Sequence, residues 1–65
     1  METTKNSVFC LISYQIEEET LLGVFSSISA ARVWSEANRF KIIKDERYIE
    51  ERRIDDPSFV ETHAL

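Results

Sequence analysis

The segment spanning residues 7–16 constrains the fold more than any other part of this sequence. It reads SVFCLISYQI, rich in β-branched and aromatic side chains and without charge, which predicts a β-strand. Successive side chains of a strand point to opposite faces. The two faces then carry Val8, Cys10, Ile12, Tyr14 and Ile16, and Phe9, Leu11, Ser13 and Gln15. Large apolar groups on both faces mean that the strand needs cover on both sides.

A second strand-like segment follows a short acidic connection. Residues 20–26 read TLLGVFS, and Glu17, Glu18 and Glu19 precede them. Two strands joined by a few polar residues predict an antiparallel hairpin, with the carboxylates in a solvated loop. Because this loop lacks glycine and asparagine, a tight two-residue turn is not expected. Gly23, inside the strand, indicates a bulge or the close approach of another element.

Helical periodicity replaces the strand pattern after Ser26. Ser27 is the predicted N-cap of a helix over residues 28–40. Apolar side chains at helical spacing predict its buried stripe, which consists of Ala30, Val33, Trp34 and Ala37, widened by Ile28 and Ala31. Trp34 is the largest apolar group available, so we expect it to anchor the helix on the sheet.

The segment over residues 41–55 has two interpretations. Good helix formers and charge pairs allow a second helix at about residues 41–53. The apolar side chains of residues 48–55 fall on alternating sides, which favours a strand. We favour the strand, because a hairpin with one helix is barely stable alone. Pro57 ends the element, and residues 1–6 and about 57–65 are expected to be loose tails. The sequence predicts one α+β domain over residues 1–65, a small antiparallel β-β-α-β sheet with one helix packed on one face.

Residues capable of chemistry are scarce. The chain has one cysteine, Cys10, so it can form no internal disulfide. Cys10 and the one histidine, His63, do not make a zinc site. A nucleophile needs a base beside it, but Cys10 lies in a predicted core strand and His63 in a predicted tail. The single glycine excludes a phosphate loop, and so small a domain has no room for an enclosing pocket. We therefore expect no enzyme activity, no metal and no cofactor.

The charge balance limits the classes of partner. A formal net charge of -4 argues against direct nucleic-acid binding, which requires clustered lysine and arginine. No apolar run is long enough to cross a membrane, and the polar first residues do not resemble a secretory signal. With one unpaired cysteine, these features favour a reducing, cytoplasmic location.

Motifs between Val8 and Asp55 resemble those of small β-β-α-β domains found in bacteria and their phages. The resemblance rests on the hydrophobic first strand, the segment LLGVFSS over residues 21–27, the helix after it, and the segment YIEERRID over residues 48–55. It implies the same element order and a phage-related role. That family carries no established activity, so the resemblance implies no functional residue.

A surplus apolar face is the main indication of function. If Val8, Cys10 and Ile12 face the helix, the opposite side chains stay uncovered, and exposed apolar patches usually mark an interface. The predicted partner-binding residues are Phe9, Leu11, Leu22, Val24, Glu17, Glu18 and Glu19. We therefore hypothesise a small acidic interaction module that binds and modulates or inhibits a host protein, such as a defence or nucleic-acid enzyme. The alternative is a structural or regulatory homo-oligomeric subunit, such as a homodimer, or a subunit bound to a neighbouring gene product.

Overall fold

The fold is a four-stranded antiparallel sheet with one helix. The computed structural model describes residues 6–39 and 46–65, which form β1 (Ser7–Gln15), β2 (Glu18–Phe25), α1 (Ile28–Ala37), β3 (Glu46–Arg53) and β4 (Asp56–Ala64). The strands lie in the order β2-β1-β3-β4, so the first strand of the chain is central. The predicted α+β class, the β-β-α-β order and the helix on one face are confirmed, and β4 extends the sheet.

The segment with two interpretations is a strand where the structure describes it. Residues 46–53 form β3, which pairs with β1 from Ser7↔Arg53 to Tyr14↔Glu46. A helix through these residues is therefore wrong, and residues 40–45 lie outside the described residues. Alternate side chains of a strand point to the same face. In β3 this geometry places Ile49 in the core.

The prediction of a loose C-terminal tail is wrong. Residues 56–64 form β4, which pairs with β3 along most of its length. Pro57 is tolerated because β4 is an edge strand, where a missing N–H interrupts little of the ladder. At the other end of the chain, residues 1–5 lie outside the described residues, and the carbonyl of Asn6 accepts a hydrogen bond from the Ile54 N–H at 2.8 Å.

The connection between β1 and β2 is a two-residue turn, contrary to expectation. Gln15 pairs with Glu18, and the residues between them, Ile16 and Glu17, have positive φ angles of 42° and 65°. Two such angles are typical of the type I′ turn, whose right-handed twist matches that of the flanking strands. Asparagine and glycine normally occupy these positions, because a branched Cβ is unfavourable in the left-handed region. The pairing of β1 with β2 therefore imposes a strained turn.

Replacing Ile16 and Glu17 by Asn-Gly should stabilise the domain by about 1–2 kcal/mol, since the left-handed conformation costs roughly that much for ordinary side chains. Urea unfolding of the double variant and the wild type measures the difference. Glu17→Gln is the control, because it removes the same charge and keeps the side chain. An Asn-Gly variant no more stable than Glu17→Gln would contradict the strained turn.

A bulge interrupts the pairing of β2 with β1 beside Gly23, as predicted. The register shifts between the pairs Leu11↔Gly23 and Ile12↔Leu21. A Cβ on Gly23 would lie 3.0 Å from the Phe25 ring, so the missing side chain leaves space for that ring. The extra residue, Leu22, packs against the core, whereas Leu21 pairs with Ile12 on the other face.

The core lies between α1 and one face of the sheet. Leu11, Ala31 and Ile49 are fully buried, and Phe9, Leu22, Phe25 and Ile28 pack against them. Leu11 pairs with Ile49, so both point to the same face. The prediction that Val8, Cys10 and Ile12 face the helix is therefore wrong.

Neighbouring strands decide which face α1 covers. Leu11 lies between Gly23 and Ile49, so no charged side chain flanks it on the adjacent strands. Cys10 lies in a row with the charged side chain of Glu50. The face that α1 covers also holds a carboxylate, that of Glu51, but hydrogen bonds compensate its burial.

The helix begins at the predicted residue and ends before the predicted one. The Ser27 hydroxyl accepts a hydrogen bond from the Ala30 N–H at 3.0 Å, which is the N-cap arrangement. The last helical residue is Ala37, and Asn38 closes the end by donating its backbone N–H to carbonyls of the last turn. Phe40, the predicted last residue, lies outside the described residues.

Small side chains bring α1 close to the sheet. Its buried residues are Ala31 and Ser35. Arg47 of β3 donates hydrogen bonds to the Ser35 hydroxyl at 3.0 Å and to its carbonyl at 3.3 Å. Trp34 is 36% exposed and contacts Phe25 at the margin, with ring centroids 6.1 Å apart. Trp34 therefore contacts the sheet, as predicted, but only at its margin, and the buried residues of the helix are the smaller Ala31 and Ser35.

Candidate functional site: the open face of the sheet

The sheet face opposite α1, here called the open face, is covered by no helix or strand among the described residues. Strand pairing defines its members: Cys10 lies between Val24 and Glu50, and Ile12 lies between Leu21 and Tyr48. The apolar and aromatic residues of the open face that are larger than alanine are Val8, Cys10, Ile12, Tyr14, Leu21, Val24, Tyr48 and Val60. Most of them lie on the adjacent strands β1 and β2 and form one continuous patch.

Several side chains of this patch are freely accessible. Leu21 and Val24 are each 56% exposed, Val60 is 48% exposed and Tyr14 is 39% exposed. The other members are half-buried against neighbouring side chains. Single exposed apolar residues are ordinary on protein surfaces, whereas a contiguous patch indicates an interaction surface.

Charged groups are ordered along the open face. Glu19 on β2 and Glu46 on β3 both pair with Tyr14, next to the β1–β2 turn. Arg52 lies at the opposite end of β3, where its Nε donates to the Glu50 carboxylate at 3.2 Å. The open face is therefore negative at the turn end and carries a guanidinium at the other end.

Tyr48 links the strands on both sides of β1. Its hydroxyl donates a hydrogen bond to the Glu19 carboxylate at 3.0 Å. Burial raises the pKa of the Tyr48 hydroxyl above its ordinary value, and the bond to Glu19 raises it further. The phenol is therefore protonated at neutral pH and remains a hydrogen-bond donor to the carboxylate.

Cys10 lies within the patch, apart from the histidine. Burial raises the pKa of its thiol, and the nearby Glu50 carboxylate raises it further. The protonated thiol is a poor nucleophile. His63 pairs with Ile49 on the helix-covered side, so Cys10 and His63 point to opposite faces of the sheet. The structure does not bring this nucleophile and base together.

The predicted partner-binding residues fall in three places. Val24 lies on the open face, whereas Phe9, Leu11 and Leu22 pack in the core. The placement of Leu11 on an uncovered surface is wrong, because its side chain is fully buried. The acidic residues 17–19 are exposed at the β1–β2 turn and the start of β2, and their role in partner binding stays a prediction.

A polar cluster of Ser7, Glu51, Glu61 and His63 lies on the helix-side face of the sheet. Glu51 is only 9% exposed. Its carboxylate accepts hydrogen bonds from the Ser7 hydroxyl at 2.7 Å and from His63 Nε2 at 2.9 Å. With Glu51 ionised, the carboxylate only accepts, and Nε2 then carries the proton. Sequence reasoning missed this cluster because it assigned His63 to a tail.

The chemistry available to the polar cluster is limited. Ligand atoms of Glu51, Glu61 and His63 lie within 4.8 Å of one another, and one imidazole with two carboxylates is a set that zinc or manganese accepts. Hydrogen bonding places His63 beside Glu51, and strand pairing places Glu61 opposite Glu51. In a catalytic triad the histidine stands between the hydroxyl and the carboxylate, whereas here Glu51 stands between Ser7 and His63. The arrangement therefore holds a buried carboxylate and does not activate Ser7.

A second apolar surface lies on the outer side of α1. It is a shallow groove of about 580 Å³, and the side chains that line it include Phe25, Ala30, Val33 and Trp34. Val33 is 70% exposed there. Because this groove is separated from the open face by the sheet, the two surfaces can be tested independently.

Comparisons with protein families, curated proteins and solved structures give no match to this chain. Over residues 6–39 and 46–65, no helix has the length and apolar character needed to cross a membrane. The resemblance to bacterial and phage domains therefore stays a prediction, and the site is interpreted from its own geometry.

Proposed function

We propose that this chain is a small acidic protein-interaction module without catalytic activity, and that its open face binds protein. The observation that supports this most directly is the continuous apolar surface on β1 and β2, with Leu21 and Val24 more than half exposed. Transfer of such side chains from water to an interface is favourable by about 25 cal/mol per Å² of apolar area. Binding another protein is the simplest way for a soluble domain to achieve that burial.

The resemblance to domains of bacteria and phages extends the proposal to the partner. The partner would be a host protein, such as a defence or nucleic-acid enzyme, that the module modulates or inhibits. Glu17, Glu18 and Glu19 are exposed at one end of the sheet and would steer the module toward a basic surface.

A homo-oligomeric subunit is the second candidate function. The observation that favours it is the arrangement of charge on the open face, which has carboxylates at one end and Arg52 at the other. A face with both signs of charge can complement a copy of itself, whereas a face of one sign needs a partner of the opposite sign.

Val24→Glu should abolish association through the open face, while Val33→Glu should leave it unchanged. Both changes place a carboxylate on an exposed valine, one on the open face and one on the outer side of α1. Light scattering measures self-association, and affinity capture followed by mass spectrometry measures binding of a host protein. Circular dichroism confirms that each variant retains its fold.

The two variants separate the two apolar surfaces. Loss of a complex in Val24→Glu and its retention in Val33→Glu supports the open face as the binding surface. The opposite result assigns binding to the helix groove and contradicts the proposal. A wild-type chain that forms no complex of either kind also contradicts it.

A further inference from the structure

We infer that the occupant of the open face is a second copy of this chain, in a symmetric dimer with the two sheets face to face and their strands antiparallel. The inference rests on the proposed function, which assigns protein binding to the open face. It adds the identity of the partner and the orientation in which that partner lies.

The described residues form two layers, one helix on one face of one sheet. The helix covers one face of the central strand β1, and the other face carries exposed apolar side chains. A second sheet against the open face would add a layer and give β1 an interior on both sides.

The area of the open face matches the requirement of a dimer. The strands have 8 or 9 residues each, and at about 3.3 Å per residue and 4.8 Å per strand the four-stranded face measures about 19 by 28 Å, or roughly 500 Å² in projection. Side chains project from the sheet, so the accessible area of the face is larger than its projected area. It approaches the roughly 800 Å² that each partner contributes to a standard interface.

Charge selects the orientation of the second copy. A twofold axis parallel to the strands, along β1, would place the turn ends of both copies together and bring Glu19 of each copy close to Glu46 of the other. A twofold axis in the plane of the sheets but perpendicular to the strands reverses the strand direction. That arrangement places the negative end of each copy over the end that carries Arg52 of the other, so opposite charges meet.

The antiparallel arrangement also matches the apolar side chains. With the axis at the level of Leu11, the middle of β1, positions equally distant from that level face each other. The facing pairs are Val24 with Leu21, Cys10 with Ile12, Val8 with Tyr14, Glu50 with Tyr48, and Arg52 with Glu46, each pair formed twice by symmetry. Apolar groups of β1 and β2 therefore meet in the middle, where the carboxylate of Glu50, already bound by Arg52, faces a tyrosine. The ion pairs between the copies lie toward the ends.

The acidic turns remain accessible in this dimer. The two β1–β2 turns point to opposite ends of the assembly, so Glu17 and Glu18 of each copy stay in solvent. A dimer of this form is compatible with a further partner that recognises the acidic turns, which is the role predicted for them from the sequence.

A charge-exchange experiment tests the occupant and its orientation together. Sedimentation equilibrium should show a wild-type dimer, with the dissociation constant raised about 10- to 100-fold by Arg52→Glu alone or Glu46→Arg alone, because each change places like charges opposite each other twice. The Arg52→Glu, Glu46→Arg double variant should regain most of the lost affinity. Glu36→Arg, on the outer side of α1, breaks an exposed ion pair with Arg39 and should leave the constant unchanged.

Each outcome has a distinct meaning. Restored affinity in the double variant supports the antiparallel dimer, and a double variant that is weaker than either single variant overturns it. A wild-type monomer at micromolar concentration overturns the dimer. If that monomer captures another protein and Val24→Glu abolishes the capture, the proposed function survives and only this inference fails. If capture is insensitive to Val24→Glu, both fail.

Discussion

Leu11→Ala should unfold most of the domain at room temperature, whereas Cys10→Ala, one residue away, should leave it folded. Leu11 is fully buried between Ile49 and Ala31, and truncation of a buried leucine costs about 2–5 kcal/mol. Domains of this size have only about 3–5 kcal/mol of stability from a single core. Cys10 lies on the open face, half-buried, so loss of its thiol should cost on the order of 1 kcal/mol.

Chemical unfolding followed by circular dichroism compares the two variants. The pair is a direct test of which face of β1 the helix covers, because the residues are sequence neighbours and point in opposite directions. If Cys10→Ala costs as much as Leu11→Ala, or more, the assignment of the core to the Phe9 and Leu11 face is contradicted.

His63→Ala should destabilise the domain by about 1–3 kcal/mol, because it removes one of the hydrogen bonds to a buried carboxylate. The Glu51 carboxylate is 9% exposed and receives the imidazole N–H at 2.9 Å. His63→Gln should recover part of the loss, because an amide N–H can donate to the same oxygen.

Thr62→Ala is the matched control for this experiment. Thr62 precedes His63 on β4 and pairs with Glu50 on the open face, where it is exposed. The free energy of unfolding at neutral pH should therefore change little in Thr62→Ala. Equal losses in His63→Ala and Thr62→Ala would mean that the hydrogen bond to Glu51 contributes nothing specific.

The order of the elements was predictable because each has a strong local signal. These signals depend only on neighbours in the sequence. They are the strand-like side chains of residues 7–16, the N-cap at Ser27 and the helical spacing of the apolar residues after it. The side of β1 that becomes the core was not predictable in this way. Both faces of β1 are apolar, and the choice depends on neighbours such as Gly23 and Ile49, which are brought beside β1 only by the fold.

Two further errors have the same origin. Pro57 predicts the end of the last element, although a proline on an edge strand is compatible with a sheet. Ile16 and Glu17 predict a longer loop, because neither residue favours positive φ. In both places, long-range pairing of strands overrides the local preference.

The type of candidate site, an uncovered apolar face, was predictable from the sequence, whereas the residues that form it were not. The sequence predicts one uncovered apolar face, and the structure has one, but of the apolar residues predicted to bind a partner only Val24 lies on it. The Glu51–His63 pair had no local signal, because the partners lie 12 residues apart on strands whose register the sequence does not specify.

The position of Trp34 has a spectroscopic consequence. The indole lies on the helix layer beside Phe25, in a residue that is 36% exposed, and the sheet separates it from the open face. The chain has one tryptophan, so its fluorescence comes from this single position. We expect emission to respond when α1 leaves the sheet and to remain constant when two open faces separate. Intrinsic fluorescence, recorded beside sedimentation on the same samples, would then distinguish dissociation of folded chains from unfolding without any added label.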